Sequence, residues 1–130
     1  MRILIAEDDF TSRQVLQRYL AQFGDCDIAK DGQEAVRAFQ EALERDEPYD
    51  LVCLDLLMPK MDGQRALVAI RQAEATHRGH GGECAKILVA SALGDAASME
   101  QAYTSRCDGY LTKPFSRSQI ESQLRGFGLV

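Results

Sequence analysis

The run Leu51-Val52-Cys53-Leu54 is apolar at every position and ends on a single acid, Asp55. A strand without a polar face must be covered on both sides, and a parallel sheet held between two layers of helix does this. Ligands of such sheets bind outside the carboxyl ends of the strands. Asp55 therefore stands where chemistry is expected. Taken alone, it reads better as a strand-ending acid that caps a turn.

The remainder of the chain repeats the pattern. Ile3–Ala6, Cys26–Ala29, Lys86–Ala90 and Gly109–Thr112 are further segments of strand length. Thr11 and Gln14 have capping-box spacing, and Val15, Leu16, Tyr19, Leu20 and Phe23 then recur at helical spacing until Gly24. A second helix follows Asp31-Gly32, with Ala35, Val36, Phe39, Ala42 and Leu43 on one face. A third spans about 64–76 with Ala66, Leu67, Ile70 and Ala73, and a weaker fourth spans 95–106 with Met99, Ala102 and Tyr103. Ser116 or Ser118 can cap a last helix carrying Ile120, Leu124 and Phe127. Five strands alternating with five helices predict a doubly wound α/β fold, flavodoxin-like, with strand order 2-1-3-4-5 and right-handed crossovers.

No linker, internal repeat or low-complexity stretch divides residues 1–130, which read as one domain. A chain this long buries about two-thirds of its unfolded surface and needs no metal or disulfide to fold. The net charge of -5, with fifteen basic residues in no run, argues against nucleic-acid binding as the main activity. Cys26, Cys53, Cys84 and Cys107 lie far apart without zinc-ligand spacing, so reduced thiols are expected. His77 and His80 flank glycines and read as solvent-facing loop residues. Only four apolar residues separate Arg2 from three acids, so no signal peptide opens the chain, and no run has the length of a membrane span. A cytoplasmic location, away from any membrane, is the expectation.

With this strand order, strand ends deliver Glu7-Asp8, Asp55, Ser91 and Lys113 to one edge of the sheet. Like charges this close repel, so the acids persist best around a cation. Hard, partly hydrated oxygen ligands suit Mg²⁺, with Mn²⁺ a second choice, and a phosphate group can complete the shell. Asp55 can attack a phosphoryl group to give an acyl phosphate, Glu7 and Asp8 can hold the metal, and Lys113 and Ser91 can contact phosphoryl oxygens. Each residue has a bland alternative. Jointly they form one coherent set.

EDD after strand one, LDLLMPKMDG after strand three, ASA after strand four and YLTKPF after strand five resemble the receiver domain of two-component response regulators over nearly the whole chain. The resemblance implies Asp55 as phosphoacceptor, with Glu7, Asp8, Asp55 and the Leu57 backbone carbonyl around the metal. It also implies phosphoryl contacts from Ser91, the Ala92 backbone N–H and Lys113, and a cis Lys113-Pro114 peptide. Asp9 falls outside the metal pair and is expected to tune charge or cap a helix. A histidine kinase or histidine phosphotransfer protein would supply the phosphoryl group. Ser91 and Tyr110 would move together as the switch, altering the face made by helix four, strand five and helix five for a protein target. Such a domain catalyses its own phosphoryl transfer and dephosphorylation without being a turnover enzyme.

Leu57 and Leu93 depart from the polar residues that many members of this family carry at these positions. Two apolar side chains there are expected to hinder water and prolong the life of the phosphoryl group. The C-terminal residues leave no room for an output domain, so the chain is either a single-domain regulator, monomeric or dimerising on phosphorylation, or a fragment. The main rival is a haloacid-dehalogenase-like Mg²⁺-dependent phosphatase, which resembles DxDxT, but Leu57 replaces its second acid. A flavodoxin-type electron carrier would need a neutral phosphate loop where EDDFTS is acidic. A phosphorylation-independent binding module is disfavoured because every required group is present.

Overall fold

In the computed structural model, residues 1–58, 60–77, 84–92 and 96–130 are described. The strands are β1 (Arg2–Ala6), β2 (Asp25–Ala29), β3 (Leu51–Asp55), β4 (Lys86–Ala92) and β5 (Gly109–Lys113). They alternate with α1 (Phe10–Leu20), α2 (Gly32–Glu44), α3 (Gly63–Thr76), α4 (Ala96–Thr104) and α5 (Arg117–Gly126). The sheet is wholly parallel in the order β2-β1-β3-β4-β5, the flavodoxin-like arrangement that the sequence predicts.

Period-two alternation sorts each central strand between two cores. Leu4, Val52, Leu54, Ile87 and Val89 face the core shared with Phe39 of α2, Ile70 of α3 and Ala102 of α4. Ile3, Ile5, Leu51, Cys53 and Leu88 face the other, with Leu16 and Leu20 of α1 and Ile120 and Leu124 of α5. The all-apolar run of β3 is buried at every residue, Asp55 included.

Helix ends follow local chemistry, with one correction. The capping-box spacing of Thr11 and Gln14 points to the wrong residue, because α1 is capped by Asp9, whose carboxylate accepts the Ser12 N–H at 2.9 Å. Thr11 lies inside the first turn. Asp9, next to two acids, is the better acceptor for orphan amides at a helix start. Asp31 and Asp62 cap α2 and α3 in the same way, and Ser116 with Gln119 forms a reciprocal capping box on α5. The weaker fourth helix ends at Thr104, and Arg106 adopts a left-handed conformation at φ 70.

At the amino edge of the sheet a buried guanidinium of α3 joins two connections. Arg71 of α3 donates to Glu74 Oε1 and Asp108 Oδ2, both at 2.7 Å, and to the carbonyls of Ala85 and Arg106 at 2.9 Å. Glu74 and Asp108 in turn accept the backbone N–H groups of Ala85 and Ile87. The segments entering β4 and β5 are thereby fixed to the end of α3. The glycine loop at 78–82, with His80, lies outside the described residues.

Candidate functional site

The opposite, carboxyl edge is where β1 and β3 hand their chains to helices on different faces. β1 ends at Ala6, so Glu7, Asp8 and Asp9 form the whole link to α1. Glu7 stays tied to the sheet through its N–H to the Ala29 carbonyl at 3.1 Å, and its side chain is fully buried. β3 ends on Asp55, only 7% exposed, and the Leu56 N–H reaches across to the Ala90 carbonyl of β4. The chain then turns back, with the Gly63 N–H donating to the Leu56 carbonyl at 3.0 Å.

Two close backbone approaches hold that turn. A Cβ on Gly63 would collide with the carbonyl oxygen of Asp55, and one on Gly32 would collide with the carbonyl oxygen of Met61. Only glycine lets α3 start against β3 and α2 start against the loop. Lys60, at φ 67, reaches the Asp31 carboxylate at 3.6 Å from the same loop.

Within this frame Glu7, Asp8 and Asp55 each offer a carboxylate oxygen, and the three lie within 4.8 Å of one another. Among the described residues this is the group of acids, histidines and cysteines with metal-holding geometry, and His77 is not in it. Hard carboxylate donors, two buried and one exposed to water, fit a divalent cation that keeps part of its hydration shell. Lys113 Nζ enters from β5, 2.9 Å from Glu7 and 3.4 Å from Asp55. Burial raises the Glu7 carboxyl to about 7, helped by its hydrogen bond with Asp55 and opposed by Lys113. For Lys113 burial acts downward, but Glu7 and Asp55 outweigh it and raise its pKa.

Ser91, Ala92, Leu57 and Pro114 lie at this same edge of the sheet, and Tyr110 lies three residues before Lys113 on β5. Ser91 is 1% exposed at the end of β4, in register with Thr112, and Ala92 pairs with Lys113. The Lys113-Pro114 peptide is cis. The Leu57 N–H donates to Asp55 Oδ1 at 3.3 Å, while the Leu57 side chain is 70% exposed at the mouth. Tyr110 is half-buried against the α2–α4 core, and its hydroxyl is buried with no hydrogen-bond partner among the described residues. Leu93 lies outside the described residues.

The model of the response regulator receiver domain matches residues 3–125. The chain belongs to this family. Response regulator RR06 of Streptococcus pneumoniae serotype 2 is 35% identical to this receiver domain over 117 residues, 89% of the chain and 48% of the relative. The receiver domain of sensor histidine kinase PA1611 from Pseudomonas aeruginosa PAO1, with a magnesium ion coordinated in its active-site cleft, superposes with a TM-score of 0.79 at 26% identity. That match covers 98% of this chain and 97% of the other. The co-crystal structure of the Saccharomyces cerevisiae phosphotransfer protein Ypd1 with the receiver domain of Ssk1 gives 0.82 at 26% identity, covering 98% and 88%. The chain spans less than half the length of the curated relatives it matches, from 6% to 48%. The family match lends no support to the phosphatase alternative.

Sequence reasoning missed three polar side chains that the receiver domain uses. Arg71 sits in the apolar stripe of α3, where its three-residue spacing to Glu74 is the available signal. Gln64 donates to the Ser98 carbonyl of α4 at 2.8 Å and carries no local signal, because its partner is 34 residues away. Arg13 of α1 places Nη1 3.2 Å from the Glu7 carbonyl and 3.4 Å from that of Asp8.

Proposed function

We propose that this receiver domain is a phosphorylation-dependent switch in which Asp55 accepts a phosphoryl group from a histidine kinase or histidine phosphotransfer protein. The observation that carries the reading is the convergence of the Glu7, Asp8 and Asp55 carboxylates beside the Lys113 ammonium. One Asp55 oxygen attacks phosphorus, the O–P bond of an acyl phosphate forms, and the P–N bond of the donor phosphohistidine breaks. Lys113, already within reach of Asp55, neutralises charge on the transferring group. Ser91 and the Ala92 N–H donate to phosphoryl oxygens from the end of β4. Glu7, Asp8, Asp55 and the Leu57 carbonyl hold Mg²⁺, which supplies Lewis-acid charge neutralisation when bound.

The added charge draws Ser91 inward, and Tyr110 follows, changing the α4–β5–α5 face that a protein target reads. Its hydroxyl, buried and without a partner among the described residues, leaves a polar atom to gain a bond in a second rotamer. The protein acts in the cytoplasm as a monomer or a phosphorylation-dependent dimer, without binding nucleic acid or membrane itself. No helix among the described residues is long and apolar enough to cross a membrane.

Incubation with acetyl phosphate and Mg²⁺ is expected to label wild type to about one phosphoryl group per chain and to leave Asp55→Asn unlabelled. Equal labelling of the variant, read by intact mass, removes the reading. Turnover of a generic phosphate ester would instead favour a phosphatase. Decay of the labelled protein reports on the apolar pair: Leu57→Asn or Leu93→Glu is expected to shorten the phosphoryl lifetime. No acceleration in either variant means that these leucines do not time the signal.

A further inference from the structure

We infer that Arg13 is a positioning residue for the metal-binding acids, an inference that rests on the metal reading above. The link between β1 and α1 is three residues long, and each acid in it is placed differently. Asp9 uses its carboxylate to cap α1, and Glu7 is held by Lys113 and by its N–H to Ala29. Asp8 is exposed, and its side chain has no hydrogen bond or ion pair among the described residues, so its direction depends on the backbone. That backbone is held by Arg13, whose Nη1 donates to the carbonyls of both Glu7 and Asp8.

The guanidinium makes one further contact. It lies over the Phe10 ring, 5.4 Å from the centroid, and the half-buried stem rises from the first turns of α1. A guanidinium nitrogen holds its two N–H groups in one plane, so Nη1 can serve both carbonyls at once, which an ammonium on a flexible stem does not reproduce. Arg13 therefore acts on the cation through geometry, against its own charge. As a nearby positive charge it repels Mg²⁺, and this opposition makes the role testable.

Mg²⁺ binding to the metal-free protein, followed by calorimetry at pH 8, is compared for wild type, Arg13→Lys and Arg13→Met, with thermal melts of each in EDTA. Loss of a group that orients ligands typically weakens metal affinity 10- to 100-fold, and about tenfold is expected here in both variants. Arg13→Lys isolates the geometry because it keeps the charge. Tighter binding by Arg13→Met, or affinity for Arg13→Lys indistinguishable from wild type, overturns the proposal in favour of a purely electrostatic role. A lowered Tm with unchanged affinity overturns it in favour of a purely structural one. If wild type itself fails to bind Mg²⁺, the metal reading beneath it falls as well.

Discussion

Replacing Arg71 with methionine is expected to destabilise the domain by about 3–5 kcal/mol, the typical result of removing one partner from a buried ion pair. The side chains of Arg71 and Glu74 are each 9% exposed, so the carboxylate left behind has little access to water. Two backbone carbonyls, of Ala85 and Arg106, lose their donor in the same step. For a chain of 130 residues the loss corresponds to a fall in Tm on the order of 10 °C. Adding Glu74→Gln to Arg71→Met should recover part of it by removing the stranded charge. A shift below about 1 kcal/mol would show that the network contributes little. Labelling of Asp55 at a temperature where the variant is folded should be unchanged, because the network sits at the far edge of the sheet.

The second large effect concerns acidity. Glu7 has its carboxyl raised from 4.5 to about 7 in the folded protein, chiefly because it is buried. The folded state therefore binds more protons than the unfolded state between those values, and stability falls as pH rises through that window. The sign is opposite to that of a salt-bridged carboxylate with a depressed pKa. The loss for metal-free protein is on the order of 3 kcal/mol. Glu7→Gln should remove this dependence, so melts in EDTA at pH 5 and pH 8 should differ less for the variant than for wild type. The same substitution should abolish Mg²⁺ binding, giving a protein that is more stable at pH 8 and inert. A variant with the wild-type pH profile would show that Glu7 is ionised in the folded protein throughout.

Most of the fold was legible in the sequence because strand burial and helix amphipathicity are local patterns. The unbroken apolar run of β3 and the recurring polar residue at each strand end led to the parallel sheet and to its carboxyl edge. Asp55, Glu7, Asp8, Ser91 and Lys113 could be grouped because the strand order follows from the alternation of elements. The start of α1 had two local candidates: the spacing of Thr11 and Gln14 imitates a cap, whereas Asp9, expected to tune charge or cap a helix, makes it. Arg13 and Gln64 were illegible for a different reason: both act on backbone atoms, which present the same N–H and C=O whatever the sequence, so no pairing of residue types announces the contact. Arg71 left only the three-residue spacing to Glu74 as a local trace, since its other acid, Asp108, is 37 residues away. The raised pKa of Glu7 is likewise a property of its surroundings, since burial sets it.

One consequence follows from the order of the sheet. β2 is an outermost strand, and Asp25 and Asp27 alternate along it as exposed residues. A second copy that tried to extend the sheet here would set acids beside acids in a molecule already carrying a net charge of -5. The strand thus guards its own open edge against fibre-like growth.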